Sequence, residues 1–132
     1  MADSSLGPHI LIVDDEAEIR EVLVVAAGQI KNARVSVASN GIEALEILKN
    51  SDVQAIITDL AMPHMNGFEF LRRLKVSGKS IPTMVLTGHG DKNVVQQLRN
   101  YGVNEFLSKP WDNQVFLITL QKMIQQGQKK AS

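Results

Sequence analysis

Cysteine is absent from the 132 residues, which excludes disulfide staples, thiol chemistry and thiolate metal sites. The three histidines, His9, His64 and His89, are scattered and lack the spacing of zinc ligands. Net charge is missing too. Fourteen basic side chains balance fourteen acidic ones, so there is no electrostatic reason to expect nucleic acid or anionic lipid as a partner. No apolar run approaches the roughly 18 residues of a membrane helix, the longest being short stretches such as 10–13 and 22–27. The N-terminal MADSSLGPH has neither a basic n-region nor an apolar h-region, so no secretory signal is read and a cytoplasmic location is expected. Internal repeats and low-complexity tracts are also lacking.

What is present is an ordinary globular composition, 44% hydrophobic and 21% charged, long enough for one domain with a buried core. The charges are unevenly placed. Residues 1–70 hold 11 acids and 4 bases, while residues 71–132 hold 3 acids and 10 bases. In an interleaved fold these halves need not form opposite poles, so the asymmetry permits a basic partner-facing surface and implies nothing stronger.

Strand and helix patterns alternate along the chain. HILIV (9–13) is short, apolar and β-branched, as suits a strand buried on both faces of a parallel sheet. From Glu16 to about Ile30 the apolar positions Ile19, Val22, Leu23, Ala26 and Ile30 follow a helical period. Strands are then expected at 33–38, 53–58, 81–87 and near 104–108. Helices follow each of them, marked by Ile42, Leu45 and Leu48, by Phe68, Leu71 and Leu74, by Val94, Val95 and Leu98, and by Phe116, Leu120 and Met123. Five such βα units predict a flavodoxin-like, doubly wound (βα)5 three-layer α/β sandwich, with a parallel sheet in the order 2-1-3-4-5. The domain is expected over 9–126, with frayed tails at 1–8 and 127–132 and no output domain.

The polar residues gather where strands end. In such sheets ligands bind outside the carboxyl ends of the strands, at the switch point between the first and third. Asp14 and Asp15 follow strand one, Asp59 strand three, Thr87 strand four and Lys109 strand five. Each alone reads as a cap, a turn former or a solvated charge. Together they face one small volume. Three carboxylates there repel one another, and either a raised pKa or a hard cation must compensate, the cation being the favoured reading. All-oxygen ligands favour Mg²⁺, or Mn²⁺, with coordination positions left for phosphoryl oxygens. Asp59, alone on its strand end, is then the natural nucleophile, Asp14 and Asp15 the metal ligands, and Thr87 and Lys109 the groups that hold transferred oxygens.

DDE after strand one, TDLAMPHMNG after strand three, LTG after strand four and FLSKP at strand five resemble the response-regulator receiver domain of two-component signalling. The likeness covers nearly the whole chain. It implies that Asp59 is the phosphoacceptor, that Asp14 and Asp15 bind Mg²⁺, and that the backbone carbonyl of Ala61 completes the protein ligands. It also implies that Thr87, followed by Gly88, and Lys109 sense the phosphoryl group, with the Lys109–Pro110 peptide cis. Phe106 occupies the place of the family's switch aromatic, where a Tyr is often found. Ala61 and His89 flank the path of the hydrolytic water; an alanine cannot orient water, whereas His89 either shields the phosphoryl group or positions that water. The implied donor is a sensor histidine kinase or a histidine phosphotransfer protein. The implied readout is a downstream protein on the surface of the fourth helix, fifth strand and fifth helix, with the chain a monomer or a phosphorylation-dependent dimer. Trp111, directly after Pro110, is expected to be partly buried.

Other classes fit less well. An aspartyl-nucleophile phosphohydrolase needs a second acid two residues after its nucleophile, where this chain has Ala61, so the chain is expected to be a signalling domain and no metabolic enzyme. A nucleotide-binding module needs a phosphate-cradling loop after strand one, where DDE repels phosphate unless a metal intervenes. The remaining alternative is a docking module that works without phosphorylation.

Overall fold

The computed structural model describes residues 7–60, 66–88, 92–103 and 105–131, the side chains of 92–93 and 128–131 excepted. Among them the order is β1 (His9–Val13), α1 (Ala17–Ala27), β2 (Arg34–Ala38), α2 (Gly41–Asn50), β3 (Ala55–Asp59), α3 (Gly67–Val76), β4 (Thr83–Thr87), α4 (Lys92–Asn100), β5 (Glu105–Ser108) and α5 (Asn113–Ala131). The five strands form one parallel sheet in the order β2-β1-β3-β4-β5. This is the flavodoxin-like order expected from the sequence.

Strand pleating sorts the apolar side chains between two cores, because successive residues point to opposite faces. Leu11, Val13, Ile56 and Val85 join Ala44 and Leu48 of α2, Phe70, Leu71 and Leu74 of α3 and Leu98 of α4 on one face. Ile10, Ile12, Ala55, Ile57, Met84 and Leu86 join Leu23, Ala26 and Ala27 of α1 and Phe116, Leu120 and Met123 of α5 on the other. β1 and β3 are buried at every residue, whereas the edge strands β2 and β5 are only partly covered. Truncating a wholly buried leucine in either layer, such as Leu23 or Leu98, costs about 2–5 kcal/mol.

Local signals begin the helices. Asn40 caps α2 by accepting from the Glu43 amide, and Asn66 caps α3 by accepting from the Glu69 amide, each such cap contributing about 1 kcal/mol. Gly67 lets α3 start hard against the end of β3. Its amide donates to the Leu60 carbonyl at 2.8 Å, and a Cβ there would lie 2.7 Å from the Asp59 carbonyl oxygen.

Boundaries depart from the sequence reading at several places: β4 begins at Thr83 rather than 81 and β3 takes in Asp59, and three others have a visible local cause. α1 ends at Ala27, because Gly28, Gln29 and Ile30 turn back on it through their amides. β3 begins at Ala55, because Gln54 is engaged by both the amide and the carbonyl of His9. α5 continues to Ala131, past the expected end near Gln126 and through most of the expected tail 127–132. Gly127 permits this: a Cβ would stand 2.6 Å from the Gln54 carbonyl oxygen, so a larger residue would push the helix off the chain that enters β3.

Candidate functional site

The parallel register sets the site. Val13 of β1 lies opposite Thr58 of β3, so Asp14, one position beyond, and Asp59, the last residue of β3, end two neighbouring strands. Thr87 ends β4 opposite Ser108 of β5, and the Lys109 amide extends that ladder to the Thr87 carbonyl at 2.9 Å. Backbone pairing alone therefore brings Asp14, Asp59, Thr87 and Lys109 to one rim.

Asp59 is almost fully buried and its carboxylate is held at both oxygens. Oδ1 accepts from the Leu60 amide at 2.7 Å, and Oδ2 accepts from Lys109 Nζ at 2.9 Å. Asp14 is 0% exposed. Its Oδ1 accepts from the Glu16 amide at 2.9 Å, its backbone amide donates to Ala38, and Arg20 Nη1 donates to its carbonyl at 2.7 Å. Its Oδ2 has no hydrogen-bond partner among the described residues and lies 3.8 Å from the Lys109 ammonium. Burial pushes the Asp14 carboxyl above its ordinary value. The Glu16 amide opposes this, while the Asp59 charge reinforces it. At Lys109 burial acts downward, but the hydrogen bond and charge of Asp59, with Asp14 and Glu16, outweigh it and leave the ammonium above its ordinary value. One cation thus serves two carboxylates.

Asp15 and Glu16 are exposed at the mouth. Oxygens of Asp14, Asp15, Glu16 and Asp59 lie within 4.8 Å of one another. A buried carboxylate oxygen without a hydrogen bond, inside an all-oxygen acidic cluster, is the donor set of a hard divalent cation such as Mg²⁺. The residues present fit that group.

The other expected residues fall around this core. Thr87 is half-buried and Gly88 exposed beside it, and among the described residues no heavy atom lies within 4 Å of where a Gly88 Cβ would project. The Lys109–Pro110 peptide is cis. Phe106 of β5 is half-buried against the α3–α4 core layer, with the Arg99 guanidinium 6.0 Å from its ring centroid. Trp111 is half-buried, 6.4 Å from the Phe116 ring. Ala61 and His89 lie outside the described residues. Glu16 and Arg20 also belong to the site, beyond the residues expected from the sequence. The DDE run was the available signal for Glu16. Nothing in a local pattern announces that Arg20 reaches back to the Asp14 carbonyl.

The family model described as "Response regulator receiver domain" matches residues 10–121. A "Chemotaxis protein CheY homolog" of Campylobacter jejuni is 32% identical over 121 residues, covering 89% of this chain and 93% of that protein. The "Sporulation initiation phosphotransferase F" of Bacillus subtilis is 31% identical, covering 81% of this chain and 86% of that one. Among solved structures, the chemotaxis protein CheY4 of Vibrio cholerae superimposes with a TM-score of 0.82 at 30% identity, over 88% of this chain and 98% of that chain. The signal receiver domain of an HD domain-containing protein from Pseudomonas fluorescens reaches 0.85 at 28% identity, over 92% and 98%.

Proposed function

Since the chain belongs to the response-regulator receiver family, we propose that it accepts a phosphoryl group on Asp59 from a phosphohistidine and relays that state to a partner protein. The observation that carries this reading is the Asp59 carboxylate fixed between the Leu60 amide and Lys109, beside the orphaned Asp14 oxygen. In the transfer, an Asp59 carboxylate oxygen attacks phosphorus and the bond from phosphorus to the donor imidazole nitrogen breaks. The nitrogen keeps the electron pair, and an acyl phosphate forms on Asp59.

Mg²⁺, or Mn²⁺, held by Asp14, Asp15, Asp59 and the Ala61 carbonyl, supplies charge neutralisation for the phosphoryl oxygens when bound. Lys109 is the protein's own positive charge for those oxygens, released from Asp59 as the carboxylate becomes an ester-like acyl phosphate. Thr87, with Gly88 giving its loop freedom, turns its hydroxyl to the new oxygens, and Phe106 moves into the space vacated. The readout is the surface of α4, β5 and α5. Phe106 has no hydroxyl, so packing alone runs this switch, with the Arg99 guanidinium over its ring. His89 sets the lifetime of the acyl phosphate by shielding it or positioning water, where Ala61 cannot orient water.

The donor is a sensor histidine kinase or a histidine phosphotransfer protein. An apolar shelf of Ile19, Val22, Pro110 and Trp111 opens beside Lys109, and a donor helix that presents its phosphohistidine to Asp59 rests there. No described helix is long and apolar enough to cross a membrane. We also propose a cytoplasmic setting, a monomer or phosphorylation-dependent dimer, and no turnover beyond the chain's own phosphotransfer and dephosphorylation.

The test is intact-mass analysis after incubation with a small phosphodonor, with and without Mg²⁺, on wild type and Asp59→Asn. The expected result is a Mg²⁺-dependent gain of a single phosphoryl group that Asp59→Asn loses. No gain with the protein folded would replace this reading with the phosphorylation-independent docking module.

A further inference from the structure

We infer that the groove between α2 and α3 is a docking site for an acidic amphipathic helix of a partner protein, separate from the Asp59 site. The groove encloses about 540 Å³ between Ile42, Leu45, Leu48, Leu74 and Val76 on its apolar side and Lys49, Arg72, Arg73 and Lys79 on its rim. Ile42 is 54% and Val76 76% exposed, so the apolar floor continues to the surface at both helices. Isolated exposed aliphatics need no explanation, but these flank a concavity with further apolar side chains inside it.

Charge selects the occupant. Residues 72–79 carry four bases and no acid, concentrating in one stretch the positive excess of the second half of the chain. Some of it is neutralised locally. Glu69 holds both Arg72 and Arg73, at 2.7 and 3.0 Å, and Glu46 lies 3.8 Å from Lys49 with both side chains largely in solvent. Lys79 is turned toward the α2 C-terminus, donating to the Leu48 carbonyl, where a cation complements the helix dipole. Even with Glu46 and Glu69 counted, the rim keeps two positive charges in excess. Exposed pairs of this kind hold their partners weakly and exchange them readily. A ligand bearing carboxylates therefore competes for Arg72, Arg73 and Lys49.

The apolar floor separates a peptide from a nucleic acid. A phosphate backbone would engage the rim and leave Ile42, Leu45 and Val76 without partners, whereas an amphipathic helix satisfies both. α2 and α3 have ten residues each, about 15 Å, which matches anchors at i, i+3 and i+7 of a docked helix, about 10 Å end to end.

The probe is a synthetic helical peptide with leucines at i, i+3 and i+7 among glutamates, titrated into the ¹⁵N-labelled full chain. A scrambled peptide of equal composition and a lysine analogue are the controls. The expected result is amide shifts confined to residues 41–50 and 67–79. Binding should weaken at least tenfold in Lys49→Glu/Arg73→Glu and, independently, in Ile42→Ser/Val76→Ser, both confined to exposed side chains, while Asp59→Asn binds as wild type. The last arm keeps this site apart from the phosphoacceptor reading, since either can fail alone. Equal binding of the scrambled peptide, shifts centred elsewhere, or no shifts at all would overturn the inference. So would displacement of the peptide by duplex RNA at comparable concentration, or self-association of the chain through this groove.

Discussion

Lys109 places its ammonium against two buried or nearly buried carboxylates, and Lys109→Met removes that charge while keeping the length of the apolar stem. At an effective dielectric of about 20, the contacts at 2.9 and 3.8 Å correspond to gross attractions of about 6 and about 4 kcal/mol. Desolvation of the three groups cancels much of this. Breaking a fully buried pair costs about 3–5 kcal/mol. The Lys109 side chain is 24% exposed, so solvent screening lowers the expected loss to about 2–3 kcal/mol in metal-free protein at neutral pH. For a chain of this length that is a fall of about 7–11 °C in Tm, read by circular dichroism in EDTA. Two further arms fix the cause. As pH falls, Asp14 takes up a proton early, because its folded carboxyl lies above its ordinary value; the deficit of Lys109→Met narrows there, since the stranded charge disappears. As pH rises through the elevated folded value of Lys109, the wild type loses the same stabilisation, which is fully present below the ordinary value of 10.5. Excess Mg²⁺ also narrows the gap by taking over the carboxylates. A Lys109→Met protein that melts at or above wild type in EDTA at neutral pH refutes the account.

Gly67→Ala forces a Cβ to within 2.7 Å of the Asp59 carbonyl and Leu60 Cα, both backbone atoms; the expected loss is about 1–3 kcal/mol in urea denaturation, and an unchanged midpoint contradicts the close approach. His9 is buried, with Nε2 2.7 Å from Ser36 Oγ, and burial lowers its imidazole below the ordinary 6.5, against the Asp52 carbonyl and with the Arg34 charge. The unfolded chain then binds more protons, so stability falls as pH drops below about 6.5 and levels off below the folded value; His9→Gln should flatten that slope, and parallel curves for the two proteins would remove His9 from the acid response.

The sheet order was readable because β1 and β3 are wholly buried runs rich in β-branched residues, which only a sheet covered on both faces can bury. The rim residues Asp14, Asp59, Thr87 and Lys109 were readable because each follows or ends a run read as a strand. Boundaries were less so. The end of α1 is set by the turn at Gly28–Ile30 and the start of β3 by the hold of His9 on Gln54, both contacts between distant or non-periodic residues. The length of α5 depends on Gly127 meeting the Gln54 backbone, which no helical period encodes. At the site, neither the missing partner of Asp14 Oδ2 nor the stacking of Arg99 on Phe106 has a local signature; both arise only when separate elements converge.

Asp14 and Asp59 terminate neighbouring strands whose pairing runs to Val13 and Thr58. The spacing of parallel strands is about 4.8 Å, so the distance between these acids is a pitch of the backbone ladder rather than a product of side-chain packing. The sheet acts as a ruler. Repacking either core layer leaves the two acids in gauge as long as the ladder survives, and a slip of a single residue would turn one of them to the opposite face. The proposed cation binding should therefore not erode gradually as the core loosens; it should persist through changes in packing and vanish together with the sheet, in a single cooperative event.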